Sequence, residues 1–315
     1  MVQFLTRDRF EAARTFVADG ARPLDRALLD LALGVGAPQT ALAALATYQN
    51  KDGGFGHSLE PDLSSPASTA IATSIGLRLL ARLDTPSDHP TVQGAIRWLD
   101  ANLDRAAGVW PIIGPGVELA PHAPWWSWSE DMAGSEGVAG AKNGFRFNPT
   151  AEILGLLYVY RDGVPALLID AAETGLRRAI AETELIESAY DLKCALRLAE
   201  TGAAPADLVL LLKSLVLRSV AAHAPGDEHA PTLHLAPTPA SLAAAAMSSR
   251  LDDAIAALIE GQQPDGGWTP FWDWSFVDAR AWERAKRDWR GWLTREALET
   301  LMAHGRVEPE DSLSV

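Results

Sequence analysis

The chain has 315 residues, of which 48% are apolar and 22% charged, enough apolar material for a substantial globular core. Its formal charge of −14 argues against nucleic-acid backbones and anionic lipid surfaces as partners. A single cysteine, Cys194, excludes an internal disulfide framework, and no apolar run approaches the roughly 20 residues of a membrane span. The N-terminal stretch MVQFLTRDRFEAART has no apolar signal core, so the expected compartment is the cytoplasm.

In chain order, apolar spacing and Gly/Pro breaks predict helices at 8–18, 23–34 and 38–48. A fourth runs from about 66 to 83 on the apolar face Ile71, Ile75, Leu79, Leu80 and Leu83, with Ser68 or Thr69 placed to cap it. Pro90 opens a fifth, through Leu103. From 111 to 148, Pro111, Pro115, Pro121, Pro124 and several glycines erase the helical period, and a loop of that length inside a compact domain points to function or disorder. Helices resume at Asn148-Pro149-Thr150, Asn148 suiting an N-cap, and continue near 165–181, 187–201, 205–222, 239–248, 250–262 and 278–303. No β-branched alternation predicts a strand. The total is roughly twelve helices, or six hairpins, in one domain with an insert at about 111–148.

One short segment recurs. Gln49-Asn50-Lys51-Asp52-Gly53-Gly54-Phe55 returns as Gln262-Gln263-Pro264-Asp265-Gly266-Gly267-Trp268, both reading Gln, three residues, Gly, one residue, aromatic. Gly108-Val109-Trp110 keeps the Gly-x-aromatic close without the glutamine. The Asp-Gly-Gly core is a turn signal, since glycine takes positive φ without a Cβ penalty and the aspartate can bond the backbone just beyond it. The glutamine is assigned to the exposed N–H groups of a neighbouring helix, and the ring to anchoring the hairpins. Ser68-Thr69-Ala70, Thr150-Ala151 and Ser188-Ala189 each open an apolar helix in a similar way.

These copies resemble the QW repeats of squalene–hopene cyclase-type terpenoid cyclases and protein prenyltransferase β subunits. The resemblance implies an all-α fold, an α/α toroid with an inner and an outer ring, and a site at the mouth of its central cavity. It further implies a small apolar, isoprenoid-type ligand and acid-initiated cyclisation, a carboxylic acid protonating an alkene beside cation-stabilising aromatic faces. The Asp-x-Asp-Asp motif of those cyclases is absent. Its nearest spelling is Glu60-Pro61-Asp62, so Glu60, Asp62 and, after the second copy, Asp273 are the candidate acids. The bland reading of that tripeptide is a helix-entry turn in which Asp62 caps Ser64 or Ser65.

Eleven tryptophans cluster at 98–128 and 268–292. His57, Trp125, Trp126, Trp128, Glu130, Asp131, Trp272 and Trp274 are the candidate ligand-lining residues, with core anchoring as the alternative for each ring. Asp191 stands three residues before Cys194, not the two of the prenyltransferase zinc ligands, so neither metal nor cofactor is expected. Arg284, Lys286, Arg287 and Arg290 alternate with acids and read as a solvated helical face. An α/α ring with tryptophan platforms and paired carboxylates also fits a carbohydrate-active enzyme. A binding module without catalysis is the third reading.

Overall fold

The computed structural model describes residues 2–128, 147–222 and 232–309. Among these the fold is all-helical, with twelve α helices and no strand beyond isolated bridges. None of the helices is long and apolar enough to cross a membrane. The chain divides into two compact units, 1–44 with 225–315 and 45–224.

The first unit holds α1 (Arg7–Gly20), α2 (Pro23–Ala32), α10 (Thr232–Leu235), α11 (Ser248–Glu260) and α12 (Ala279–Ala303). α12 packs on both α1 and α2. Their shared core joins Phe10, Val17, Leu29, Ile255, Ile259, Trp268, Leu298 and Leu301. α3 (Pro38–Ala46) runs across the boundary between the units.

The second unit is a two-layered row of hairpins. α4 (Ala70–Arg82), α6 (Thr150–Val159) and α8 (Ala189–Glu200) pack in succession, each followed and backed by α5 (Pro90–Asn102), α7 (Ala166–Glu182) and α9 (Ala206–Ala222) respectively. Thr69 caps α4 through the Ala72 N–H, and Ser188 caps α8 through the Asp191 N–H. At α6 the cap position belongs to Pro149 rather than Asn148, whose N–H is taken by the Asp191 carboxylate.

Two expectations shift. Residues 239–247 form successive turns instead of a helix, because the Ser241 hydroxyl bonds the Thr238 N–H and offers the backbone a competing partner. The short α10 lies between the helices expected at 205–222 and 239–248.

The repeat is visible atom by atom. Gly53, Gly108 and Gly266 take φ of 95°, 72° and 91°. The aromatic residue's N–H then donates to a threonine hydroxyl of a helix: Phe55 to Thr73 of α4 (3.0 Å), Trp110 to Thr150 of α6 (3.2 Å) and Trp268 to Thr294 of α12 (2.9 Å). Both indoles also donate to the helix before them, at the Leu99 and Leu258 carbonyls. Asp52 and Asp265 close the turn by accepting the Gly54 and Gly267 N–H groups.

The glutamines act differently from their assignment: they donate to carbonyls. Gln49 Nε2 bonds the Gly53 and Thr91 carbonyls at 2.9 and 2.8 Å, and Gln262 Nε2 bonds those of Gly266 and Arg9 at 2.9 Å each. Where the glutamine is missing, Arg178 reaches back from α7 to the Ala107 carbonyl at 2.8 Å. Gln49→Leu is therefore expected to cost about 1–3 kcal/mol, from two part-buried carbonyls losing their side-chain donor. Chemical denaturation of the variant measures it.

Candidate functional site

Beyond Phe55 the chain makes a loop closed at its base, where the Thr69 N–H donates to the Phe55 carbonyl at 3.1 Å. Two successive residues without the freedom of glycine, His57 and Ser58, take left-handed φ of 54° and 61°. Such strain persists only where surrounding contacts enforce it. Here Asn50 does so: its amide donates to the Pro66 carbonyl and the Ser68 hydroxyl, leaving its Oδ1 for the His57 Nε2–H at 2.8 Å. His57 itself stays exposed.

The turn sends the following residues inward. Leu59 and Leu63 are buried, and with them Glu60 at 6% exposure and Asp62 at 2%. A second loop lies alongside. The Asp62 carbonyl accepts the Ala123 N–H at 3.0 Å, Ser64 donates to Pro121, and the Ser65 hydroxyl donates to the Gly116 carbonyl. The Ser64 N–H is thus spent on the Pro121 carbonyl.

This second loop carries Trp125, Trp126 and Trp128, all half-buried. Trp126 and Trp128 pack with Ile71 against a small core of Leu63, Ile112, Ile113 and Val117. The Glu118 carboxylate holds the Trp128 N–H at 2.6 Å and lies 3.4 Å from the His122 ring. Those contacts, the Trp128 bond foremost, keep Glu118 below the usual carboxylate range. Glu130 and Asp131 lie outside the described residues.

Tyr190, in the first turn of α8, is the residue that sequence reasoning missed here. Desolvation and the nearby Glu60 and Asp62 carboxylates push its hydroxyl up. Its signal was present in the Ser188-Ala189 helix start. The hollow bounded by Ser58, Glu60, Leu63, Thr69, Ala72 and Val117 has no room for a water molecule.

On the same row, α6 contributes a further buried acid. Glu152, 3% exposed, receives Arg78 of α4 at 2.6 Å and Arg197 of α8 at 2.8 Å, one on each oxygen. Burial pushes its pKa up, but the two guanidiniums outweigh this and hold it at about 2. The Cys194 thiol sits against Glu152 and Asn148, and burial followed by the Glu152 charge raises it well above the usual thiol value. A thiol so held is inert. Among the described residues no group of three His, Cys, Asp or Glu side chains is placed to hold a metal ion.

The candidates after the second repeat belong to the first unit. Trp274 is fully buried against Trp282 at 5.6 Å. Trp272 is half-buried, edge-on to Phe271 and Trp289. Asp273 is exposed and closes a local turn by accepting the Ser275 N–H at 2.7 Å. Its bonds from Ser275 keep it below the usual carboxylate range, so it has already lost the proton that an acid catalyst must carry. Arg290 also departs from the solvated face: it forms a two-pronged pair with Asp265 at 2.7 and 2.9 Å and lies over Phe16.

No protein-family model and no curated protein sequence matches this chain.

Proposed function

We propose that the chain is a terpenoid-cyclase-like protein whose hairpins close into an α/α toroid and which takes an apolar, isoprenoid-type ligand, with Asp62 as the acid and Glu60 as its companion. The supporting observation is the burial of two carboxylates two residues apart, at the loop that leads into α4. In this reading one of the two carboxyls carries the proton that an alkene needs.

In that reaction the alkene π pair takes the proton to form a C–H bond, and the resulting cation is attacked by a second double bond to close a ring. Loss of a proton from the product cation to the carboxylate restores the acid. The balance is an isomerisation with no co-reactant. Trp125, Trp126 and Trp128 on the adjoining loop would offer the cation their ring faces. Asp273, Trp272 and Trp274 have no part in it.

The filled hollow beside Glu60 favours a second reading, a repeat protein with no catalytic step. Titration calorimetry with linear prenyl chains and with oligosaccharides tests the ligand, and turnover of the prenyl chains separates the two readings. The cyclase-like reading expects micromolar binding of a prenyl chain, weakened in Trp126→Ala, and none of oligosaccharide. Absence of prenyl binding overturns it.

A further inference from the structure

His122 sits at the seam of the two loops around Asp62. It is buried and paired across from Leu63, and the Ala123 N–H beside it donates to the Asp62 carbonyl at 3.0 Å. Both of its ring nitrogens meet an oxygen acceptor: Nδ1 the Ala123 carbonyl at 3.0 Å, and Nε2 the Glu118 carboxylate at 3.4 Å. A neutral imidazole has one N–H and one lone pair, so it serves only one of these acceptors, whereas the ring protonated at both nitrogens serves both. The other Glu118 oxygen accepts the Trp128 N–H at 2.6 Å. A chain of contacts thus runs from the Asp62 loop through His122 and Glu118 to Trp128, which packs with Trp126 on Leu63, Ile112, Ile113 and Val117.

Histidine is the side chain whose charge changes near neutral pH. We infer that His122 is a proton-operated latch on this loop. Protonated at both nitrogens, it holds Glu118 on the Trp128 N–H and the rings of Trp126 and Trp128 against Leu63. On losing a proton it presents a lone pair to one of its two acceptors, and the hold on Glu118 and Trp128 slackens.

The latched form carries one proton more than the released form, so acid favours it. Glu118 sets the lower limit, because it must stay ionised. The Trp128 N–H first, and the His122 ring after it, keep that carboxyl below the usual range, so the latch fails again only as the pH falls through the Glu118 titration. Among the described residues, the other titratable groups on the elements packed there are Glu60, Asp62 and His57 on the facing loop, and Tyr190 beside the two acids. His57 is the second imidazole among them, and its Nε2 is taken by Asn50. The inference concerns the loop without a ligand and stands whether or not the second unit takes an isoprenoid chain.

NMR of the full chain carrying isotope-labelled tryptophan tests it, the Trp128 amide being assigned by its loss in Trp128→Phe and the Trp126 indole by its loss in Trp126→Phe. From about pH 8.5 down to about pH 5.5 both signals should move along one titration curve, the amide downfield as its bond to Glu118 tightens. The Trp110 amide, bonded to Thr150, should stay in place and reports the fold of each variant. Exchange of the Trp128 amide with water, corrected for its intrinsic pH dependence, should slow by about two- to fivefold over the same range, the worth of one partly exposed ion pair. His122→Gln and Glu118→Gln should each abolish the movement, and His57→Gln should leave it intact. A Trp128 amide that does not move, movement that survives in either of the first two variants, or movement that His57→Gln abolishes overturns the latch. So does a Trp126 indole that stands still while the Trp128 amide moves.

Discussion

Gly53→Ala is expected to destabilise the second unit by about 3 kcal/mol or more, summing a strained backbone and an overpacked contact. At a φ of 95° an L side chain is already disfavoured, and its Cβ would stand 2.3 Å from the Gly94 carbonyl oxygen of α5. Backbone on both sides leaves nothing to swing aside. The same substitution at Gly266 meets the Ala12 backbone of α1 at 2.5 Å, and at Gly108 the Ala171 carbonyl of α7 at 2.6 Å, so all three should fail alike. Gly20, at the end of α1 with nothing within 4 Å, is the control, where alanine should be neutral or slightly stabilising. Urea unfolding of the four variants measures the contrast, and a mild effect at Gly53 or Gly266 would remove the close turn as the element that spaces the hairpins.

Arg78→Met/Arg197→Met is expected to cost about 3–5 kcal/mol, because it strands the Glu152 carboxylate in the interior. The dependence on pH should reverse as well. In the wild type Glu152 is held at about 2, below its ordinary value of 4.5, so its contribution is present above pH 4.5 and is lost as the pH falls from there towards 2. Without the arginines burial alone remains, the folded-state pKa rises above the unfolded one, and the variant should gain stability as the pH falls towards 4.5. Removing the carboxylate in Glu152→Ala should be milder, since both guanidiniums keep about a quarter of their surface in water. Melting temperatures between pH 3 and pH 7 would show the opposed slopes, and parallel slopes would show that Glu152 does not depend on the two arginines.

The repeat was legible because its causes are local. A glycine at positive φ, an aspartate closing the turn over two residues and a ring two positions after that glycine leave a pattern that sequence can carry, and a third copy survives in Gly108-Val109-Trp110 without its glutamine. Helix positions followed for the same reason, except at 239–247, where an alanine-rich run gave way to the Ser241 side chain.

Long-range electrostatics left no such trace. Arg78 and Glu152 are 74 residues apart, Glu152 and Arg197 45, and no spacing rule joins α4, α6 and α8 in advance. The candidate acids were only half separable. Glu60, Asp62 and Asp273 look alike as letters, and what divides them is that the strained His57-Ser58 turn drives two carboxylates inward while Ser275 holds the third in solvent. Trp274 and Trp126 were ambiguous for the same reason, a ring being equally suited to a core and to a cavity wall.

The most direct test of the acid assignment is turnover of linear prenyl substrates by the wild type, Asp62→Asn and Asp273→Asn, with products resolved by mass spectrometry. The account predicts cyclised isomers of unchanged mass from the wild type and from Asp273→Asn, and a loss of about 10²–10⁴-fold in Asp62→Asn with its melting temperature retained. Equal turnover by the wild type and Asp62→Asn, or no cyclised product from any of the three, would contradict it.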